Sequence, residues 1–307
     1  MRPLLLAVGA AMLLAVAWLL RDPEPVFRRR AGLVAAVDTL AVTPDGPWTE
    51  QTWRVRASSG LAVTIAIRHA TADTGRRPLI LVLGGQRRGR GATALVRDPR
   101  GTVLAALDYP YDGDPAPHGL AGLLRQLPAI RRAFYDTPPA VTLALDALLA
   151  RPDVDPRQVE LIGASFGAPF AVIAAARDRR VTRLWVAQGG GRPYGLLEQG
   201  LRRQVPMTVA RVPLAALATL LISGPRFAPE HWIGDVSPRP VVLLDARDDE
   251  RIPRRSQEAL WAAAEPPKSR IWLDGPHMLG SRPQVIRAVV DSVMAHLADP
   301  PAPIPPH

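Results

Sequence analysis

Val159-Glu160-Leu161-Ile162-Gly163-Ala164-Ser165-Phe166-Gly167, followed by the stretch from Ala168 to Arg177, decides the fold. The run ahead of Gly163 has strand character, and the alanine-rich stretch after Gly167 reads as a helix. Strand, tight turn and helix leave Ser165 at the apex. Its hydroxyl is then exposed above the end of a strand and close to a helix N-terminus. Glycines two residues to either side fit this turn, because a β-carbon there would meet the adjoining strand and helix.

A serine nucleophile needs a base, and the base needs an orienting acid. Two further strand-to-loop junctions follow in the chain. Pro240 to Leu244 runs into Asp245-Ala246-Arg247-Asp248-Asp249-Glu250-Arg251-Ile252-Pro253. Arg270 to Leu273 runs into Asp274-Gly275-Pro276-His277. The order serine, acid, histidine is one of the known chain orders for such a set.

From about Trp53 to Leu297 the chain resembles the α/β-hydrolase family. In that family the acid loop reads small residue, two variable residues, Asp, two variable residues, aliphatic, Pro. Ala246, Asp249, Ile252 and Pro253 fit, so the resemblance implies Asp249 as the acid, with Asp248 and Asp245 as fallbacks. Gly275-Pro276-His277 matches the family's Gly-x-His, which implies His277 as general base. Two backbone N–H groups then stabilise the oxyanion. One is implied at Phe166. The other comes from the loop after the strand Pro78 to Leu83, where Gly84-Gly85 stands in place of the family's His-Gly and the donor is implied at Gln86. The activity implied is that of a serine hydrolase cleaving a small-molecule carboxylic ester through an acyl-enzyme on Ser165. Two alternatives stay open. One is a serine peptidase of the same fold, with Glu198 or Glu230 to receive a substrate amino group. The other is a non-catalytic, membrane-anchored binding protein that retains the fold.

The remaining histidines, His69, His118, His231, His296 and His307, read as solvated or packed residues. Asp274 reads as a cap of its loop, and Asp108 as a loop residue bonded to backbone amides.

Strands are expected at 51–56, 61–68, 78–83, 102–107, 159–162, 181–187, 240–245 and 270–273. Ser58-Ser59-Gly60 reads as a hairpin turn between the first two. Helices are expected at 119–132, 139–150, 168–177, 254–264 and 283–298. Apolar strands separated by helices specify an α/β fold: a mostly parallel sheet of about eight strands, covered on both faces. The interval between Ala187 and Pro240 breaks the alternation. Tyr194 to Leu201 and Pro206 to Leu221 read as helices there, which places a helical cap at about 192–234. The second is strongly apolar (Val209, Val212, Leu214, Leu217, Leu220, Leu221), and a cap with an apolar face would favour acyl or aromatic substrates. The other reading of the interval is a longer helical connection packed on the sheet edge. The catalytic domain is expected at 31–298 and a proline-rich, disordered tail at 299–307.

Leu4 to Leu20 holds seventeen residues without a charge. Within segment 1–30 it reads as a signal peptide, cleaved after Ala15-Val16-Ala17, or as a membrane anchor. Either reading puts the catalytic part outside the cytoplasm, periplasmic or extracellular. The chain has no cysteine, which excludes disulfides, thiolate metal sites and a cysteine nucleophile. Its net charge of +10 is carried by arginine, with Lys268 the single lysine. The basic residues are scattered rather than striped with aromatics, so no nucleic-acid groove is indicated. Metal and nucleotide motifs are absent from the sequence, and no cofactor is expected.

Overall fold

A computed structural model describes residues 23–297, apart from 72–74, 86, 87, 97, 100 and 117. The expectations for residues 4–20, Gln86 and the tail 299–307 lie outside the described residues. A nine-stranded sheet runs through the molecule in the order β1-β2-β3-β5-β4-β6-β7-β8-β9. The strands are β1 (Val34–Asp45), β2 (Trp48–Ala57), β3 (Ala62–Ala70), β4 (Arg77–Leu83), β5 (Val103–Leu107), β6 (Val154–Ala164), β7 (Arg183–Ala187), β8 (Val241–Ala246) and β9 (Lys268–Leu273).

The sheet therefore has one strand more than the eight or so expected. The addition is β1, an edge strand that pairs antiparallel with β2 from Val34↔Ala57 to Asp45↔Trp48. Two register shifts, between Val34 and Ala36 and between Thr39 and Ala41, break its alternation. A period-2 pattern cannot survive two bulges. The β1–β2 turn uses Gly46 at φ +59°, and the β2–β3 turn uses Gly60 at φ +84°, a conformation glycine adopts without penalty.

From β5 to β9 all neighbouring strands are parallel. Their inward residues alternate between two cores. Leu79, Leu81, Leu161, Leu184 and Leu243 point to one face, under α2 (Gly119–Leu149), α3 (Ala168–Arg177) and α6 (Arg254–Ala263). Ile80, Leu104, Ile162, Trp185 and Val242 point to the other, under α7 (Pro283–His296). Two helices were expected across 119–150, on either side of Thr137-Pro138-Pro139, yet α2 is continuous with Pro128, Pro138 and Pro139 inside it. An interior proline costs about 3 kcal/mol. Burial of Tyr135, Ala140, Val141, Leu143 and Ala144 against the sheet offsets that loss.

Helix α1 (Glu24–Arg30), on the N-terminal side of the boundary expected at residue 30, packs on the folded body. Phe27 is fully buried, its ring 6.0 Å from Phe227, 6.1 Å from Tyr135 and 6.2 Å from Trp232. Glu24 is bound by Arg177 of α3 at 2.9 Å, and that bond holds its carboxyl below the usual range.

Between β7 and β8 lie α4 (Pro193–Leu201) and α5 (Thr208–Leu221), packed on each other. The apolar residues of α5 lie mostly on its outer face. Arg211, Ala215 and Thr219 face inward, while Val209, Val212, Leu214, Leu217 and Leu220 are exposed. The inward stripe is held by Glu198 of α4, whose Oε1 accepts from Arg211 Nε at 2.6 Å. Among the described residues no helix is long and apolar enough to cross a membrane.

Candidate active site

Every element of the site stands at the C-terminal end of a parallel strand. β5 and β6 lie on opposite sides of β4 although they follow it in sequence, so the chain reverses direction across the sheet there. Loops leave such a point in opposite directions and open a crevice. Ser165 follows β6 and Gly84-Gly85 follow β4, on the two walls of that crevice.

Ser165 has φ +51°, in the left-handed region that non-glycine residues rarely enter. Its neighbours explain how the turn closes. A β-carbon on Gly163 would stand 2.6 Å from Ala171 Cβ and 2.8 Å from Ala168 Cα. One on Gly167 would stand 2.1 Å from the Leu83 carbonyl oxygen. Helix α3 therefore starts directly against β4 and β6, and the serine is thrust outward.

His277 Nε2 lies 2.8 Å from Ser165 Oγ. Its Nδ1 lies 2.8 Å from Asp249 Oδ2, and both the His277 and Asp249 side chains are 1% exposed. The other carboxylate oxygen, Oδ1, accepts the backbone N–H groups of Arg251 at 2.9 Å and Ile252 at 2.8 Å. The loop thus satisfies the carboxylate on one side and aims it on the other. The two fallback acids stand elsewhere. Asp248 is exposed, and Asp245 is buried 2.9 Å from Arg270 Nε. Burial pushes the Asp245 carboxyl up to about 6, against the attraction of Arg270 and Arg254.

Three residues that the sequence reading passed over hold the histidine loop. Glu250 Oε2 accepts the His277 backbone N–H at 3.0 Å, and Oε1 accepts from Arg282 Nη1 at 2.6 Å. The same Arg282 nitrogen donates to the His277 carbonyl at 3.0 Å. Burial raises the Glu250 carboxyl, but bonds from His277 N, its own backbone and Arg282 outweigh it and bring it to about 2. Gln188, buried at φ +49° after β7, accepts the Met278 N–H through Oε1. Glu250 was visible as part of the acid run. Gln188 and Arg282 carried no local signal, since their partners are ninety and five to thirty-two positions away.

The loop after β4 is clamped from β5. Tyr109 donates its phenol O–H to the Gly84 carbonyl, and burial keeps that phenol protonated. Asp108 accepts Arg90 N at 2.9 Å and Arg90 Nη1 at 2.7 Å, which matches the backbone-bonding role expected of it. Gly89, at φ +47°, has no room for a β-carbon beside Asp108 Oδ1. Phe166 opens the turn into α3, and its ring packs edge-on at 5.2 Å from Tyr109.

A cavity of about 1460 Å³ opens over Ser165 and His277. Phe134, Phe166, Leu197 and Ile222 give it apolar walls, and Arg202 and Arg203 add charge at the α4 side. Two other histidines, His296 and His69, are engaged apart from it. His296 Nδ1 is 2.7 Å from the Ser292 carbonyl of its own helix, and His69 Nδ1 is 3.9 Å from Asp153. Asp274 is paired with Arg247 at 3.0 Å on the surface. Among the described residues no group of His, Asp and Glu is placed to hold a metal ion.

Solved structures share this architecture. Acetyl xylan esterase 1 from Thermoanaerobacterium sp. JW/SL YS485 superposes with a TM-score of 0.63, at 14% identity, over 90% of this chain and 93% of that one. The α/β hydrolase GrgF from Penicillium sp. sh18 gives 0.55, at 16% identity, over 81% and 99%. The chain has the α/β-hydrolase fold. A cold-adapted esterase from an Arctic intertidal metagenomic library shares that fold with a TM-score of 0.56, at 17% identity, over 84% of this chain and 97% of that one. No protein-family model matches the chain. Among curated proteins, the uncharacterized protein YfhR of Salmonella typhimurium is 27% identical over 142 residues, 44% of this chain and 45% of that protein. YfhR of Salmonella typhi is 26% identical over 136 residues. The matched stretch spans less than half of either protein.

Proposed function

We propose that this α/β-hydrolase is a serine esterase acting on small-molecule carboxylic esters. One observation carries the reading: Ser165 Oγ, His277 and Asp249 form a continuous line of two 2.8 Å contacts. In the proposed reaction Ser165 Oγ attacks the ester carbonyl carbon while His277 Nε2 takes its proton. Asp249 keeps the remaining proton on Nδ1 and stabilises the imidazolium. The Phe166 N–H, together with a donor from the loop at Gln86, receives the oxyanion. The tetrahedral species collapses, His277 returns the proton to the departing alkoxide, and an acyl-Ser165 remains. Water, deprotonated by the same His277, then releases the acid and restores the serine.

The esterase names of structural neighbours agree with this reading, including a methylesterase, BT1017. The peptidase alternative loses one of its two supports. Glu198 is bonded to Arg211 at 2.6 Å and Arg202 at 3.4 Å, and it lies 3.6 Å from Arg255, so its charge is already matched. We also propose that the catalytic body lies outside the cytoplasm, on the strength of the apolar stretch Leu4 to Leu20. The test is hydrolysis of a p-nitrophenyl ester series beside an aminoacyl anilide, by the chain and by Ser165→Ala. Ester turnover that vanishes in the variant supports the proposal. Anilide turnover with no ester turnover contradicts it, as does ester turnover that survives in the variant.

A further inference from the structure

Helix α5 is amphipathic in the wrong sense for a water-facing surface. Its sole charged residue, Arg211, is on the inside and 8% exposed, bound to Glu198 and to the carbonyls of Val205 and Pro206. Its outer face carries Val209, Val212, Leu217 and Leu220, which are 76%, 41%, 52% and 45% exposed. Met207, just before the helix, is 67% exposed. Helices on soluble proteins place their charges outward and their apolar stripe inward. A contiguous apolar patch of this kind marks an interaction site.

We propose that the outer face of α5 lies in the interfacial region of a lipid bilayer. Two further observations select lipid over another protein. The chain enters the patch through two exposed arginines, Arg203 and Arg202, the latter 3.4 Å from Glu198. An apolar helix face bordered by arginine suits acyl chains beneath anionic headgroups. We take the seventeen uncharged residues Leu4 to Leu20 of the same chain as a second attachment to the same apolar phase. A single weak insertion gives only reversible binding, whereas two give a stable hold. Because Arg202, Arg203 and Ile222 also line the cavity over Ser165, this contact turns the cavity's α4–α5 side toward the membrane.

The test exploits the absence of cysteine. In the full chain, Val209→Cys, Leu217→Cys and Arg157→Cys each accept one environment-sensitive fluorophore. Arg157 is the control, because its side chain is 87% exposed near the start of β6, the end of the sheet opposite Ser165. The proteins are mixed with phosphatidylglycerol–phosphatidylcholine vesicles bearing nitroxides on their acyl chains. The expected result is a blue shift and at least threefold stronger quenching at 209 and 217 than at 157. Equal quenching at all three sites overturns the proposal. So does shielding at 217 that is already complete without vesicles, as a second copy or residues 4–20 lying on the helix would produce. This readout needs no turnover, so it stands apart from the esterase reading. A kinetic arm rests on that reading: Val209→Glu with Leu217→Glu is expected to lower hydrolysis of a vesicle-borne ester at least tenfold and leave a soluble acetate ester unaffected. A folded variant that hydrolyses the vesicle-borne ester as fast as the parent, or that loses both activities by the same factor, contradicts the proposal.

Discussion

Glu250 accepts the backbone N–H of His277 at 3.0 Å, one residue along from the Asp249 that bonds its ring. Adjacent carboxylates thus fix the same histidine at two points, one through the main chain and one through the imidazole. The Glu250 carboxyl is brought from 4.5 to about 2 in the fold, so its ionised form is favoured there. A lowered carboxylate contributes stability above its unfolded value and loses it as pH falls through its folded value. The contribution is therefore complete above about pH 5 and declines from there toward pH 2. Glu250→Gln should show a flatter acid limb when unfolding is followed between pH 5 and 2, with turnover at neutral pH reduced by a loosened His277. An acid limb identical to that of the parent chain would count against this assignment.

Asp249→Ala should lower turnover by about 10⁴, because an unheld imidazole presents the wrong tautomer to Ser165. Asp248→Ala should stay within about twofold of the parent, since that side chain is exposed. Steady-state kinetics on one p-nitrophenyl ester decide between them. A larger loss at Asp248 would mean the acid has been placed one residue too late.

Gly167→Ala forces a β-carbon to within 2.1 Å of the Leu83 carbonyl oxygen, which is backbone and cannot swing aside. Overpacking of this kind costs about 1–3 kcal/mol. The expected outcome is a Tm lower by several degrees, with reduced turnover because α3 is pushed away from β4. Gly85→Ala meets nothing within 4 Å and should leave the Tm unchanged. Equal melting of the two variants would remove the steric account of the turn.

Phe27→Ala empties a fully buried site among Tyr135, Phe227 and Trp232. Such a deletion costs about 3–5 kcal/mol. A chain trimmed after residue 22 should keep this core, and one trimmed after residue 30 should lose it. Urea unfolding of the two trimmed chains tests the difference. Equal midpoints would show that α1 adds nothing to the fold.

The part of the site that sequence disclosed is the part written in local motifs. Ser165 is announced by glycines whose need is steric and whose partners, Ala168 and Ala171, lie a few positions away. Asp249 and His277 each end a strand, and strand ends are legible from apolar runs. Gln188 and Arg282 were missed because they act on backbone groups of a distant loop. β1 was missed because two bulges erase its alternation and neither of its faces is deeply buried. The helix α2 was divided at Pro138-Pro139, where propensity says stop and burial of Tyr135 through Val141 says continue. Helix α5 gives the sharpest lesson. Its apolar stripe marks it as a helix, but periodicity locates an apolar face without saying what that face meets. In the fold its one charged side chain, Arg211, is turned inward and paired with Glu198.

The most direct test of the central claim is mass spectrometry of the chain after brief exposure to a fluorophosphonate, with Ser165→Ala treated in parallel. One phosphonyl group on the peptide containing Ser165, lost ester turnover in proportion to labelling, and no adduct on Ser165→Ala are predicted. An unlabelled Ser165 in the folded chain, or an adduct and turnover that persist in Ser165→Ala, would contradict the account.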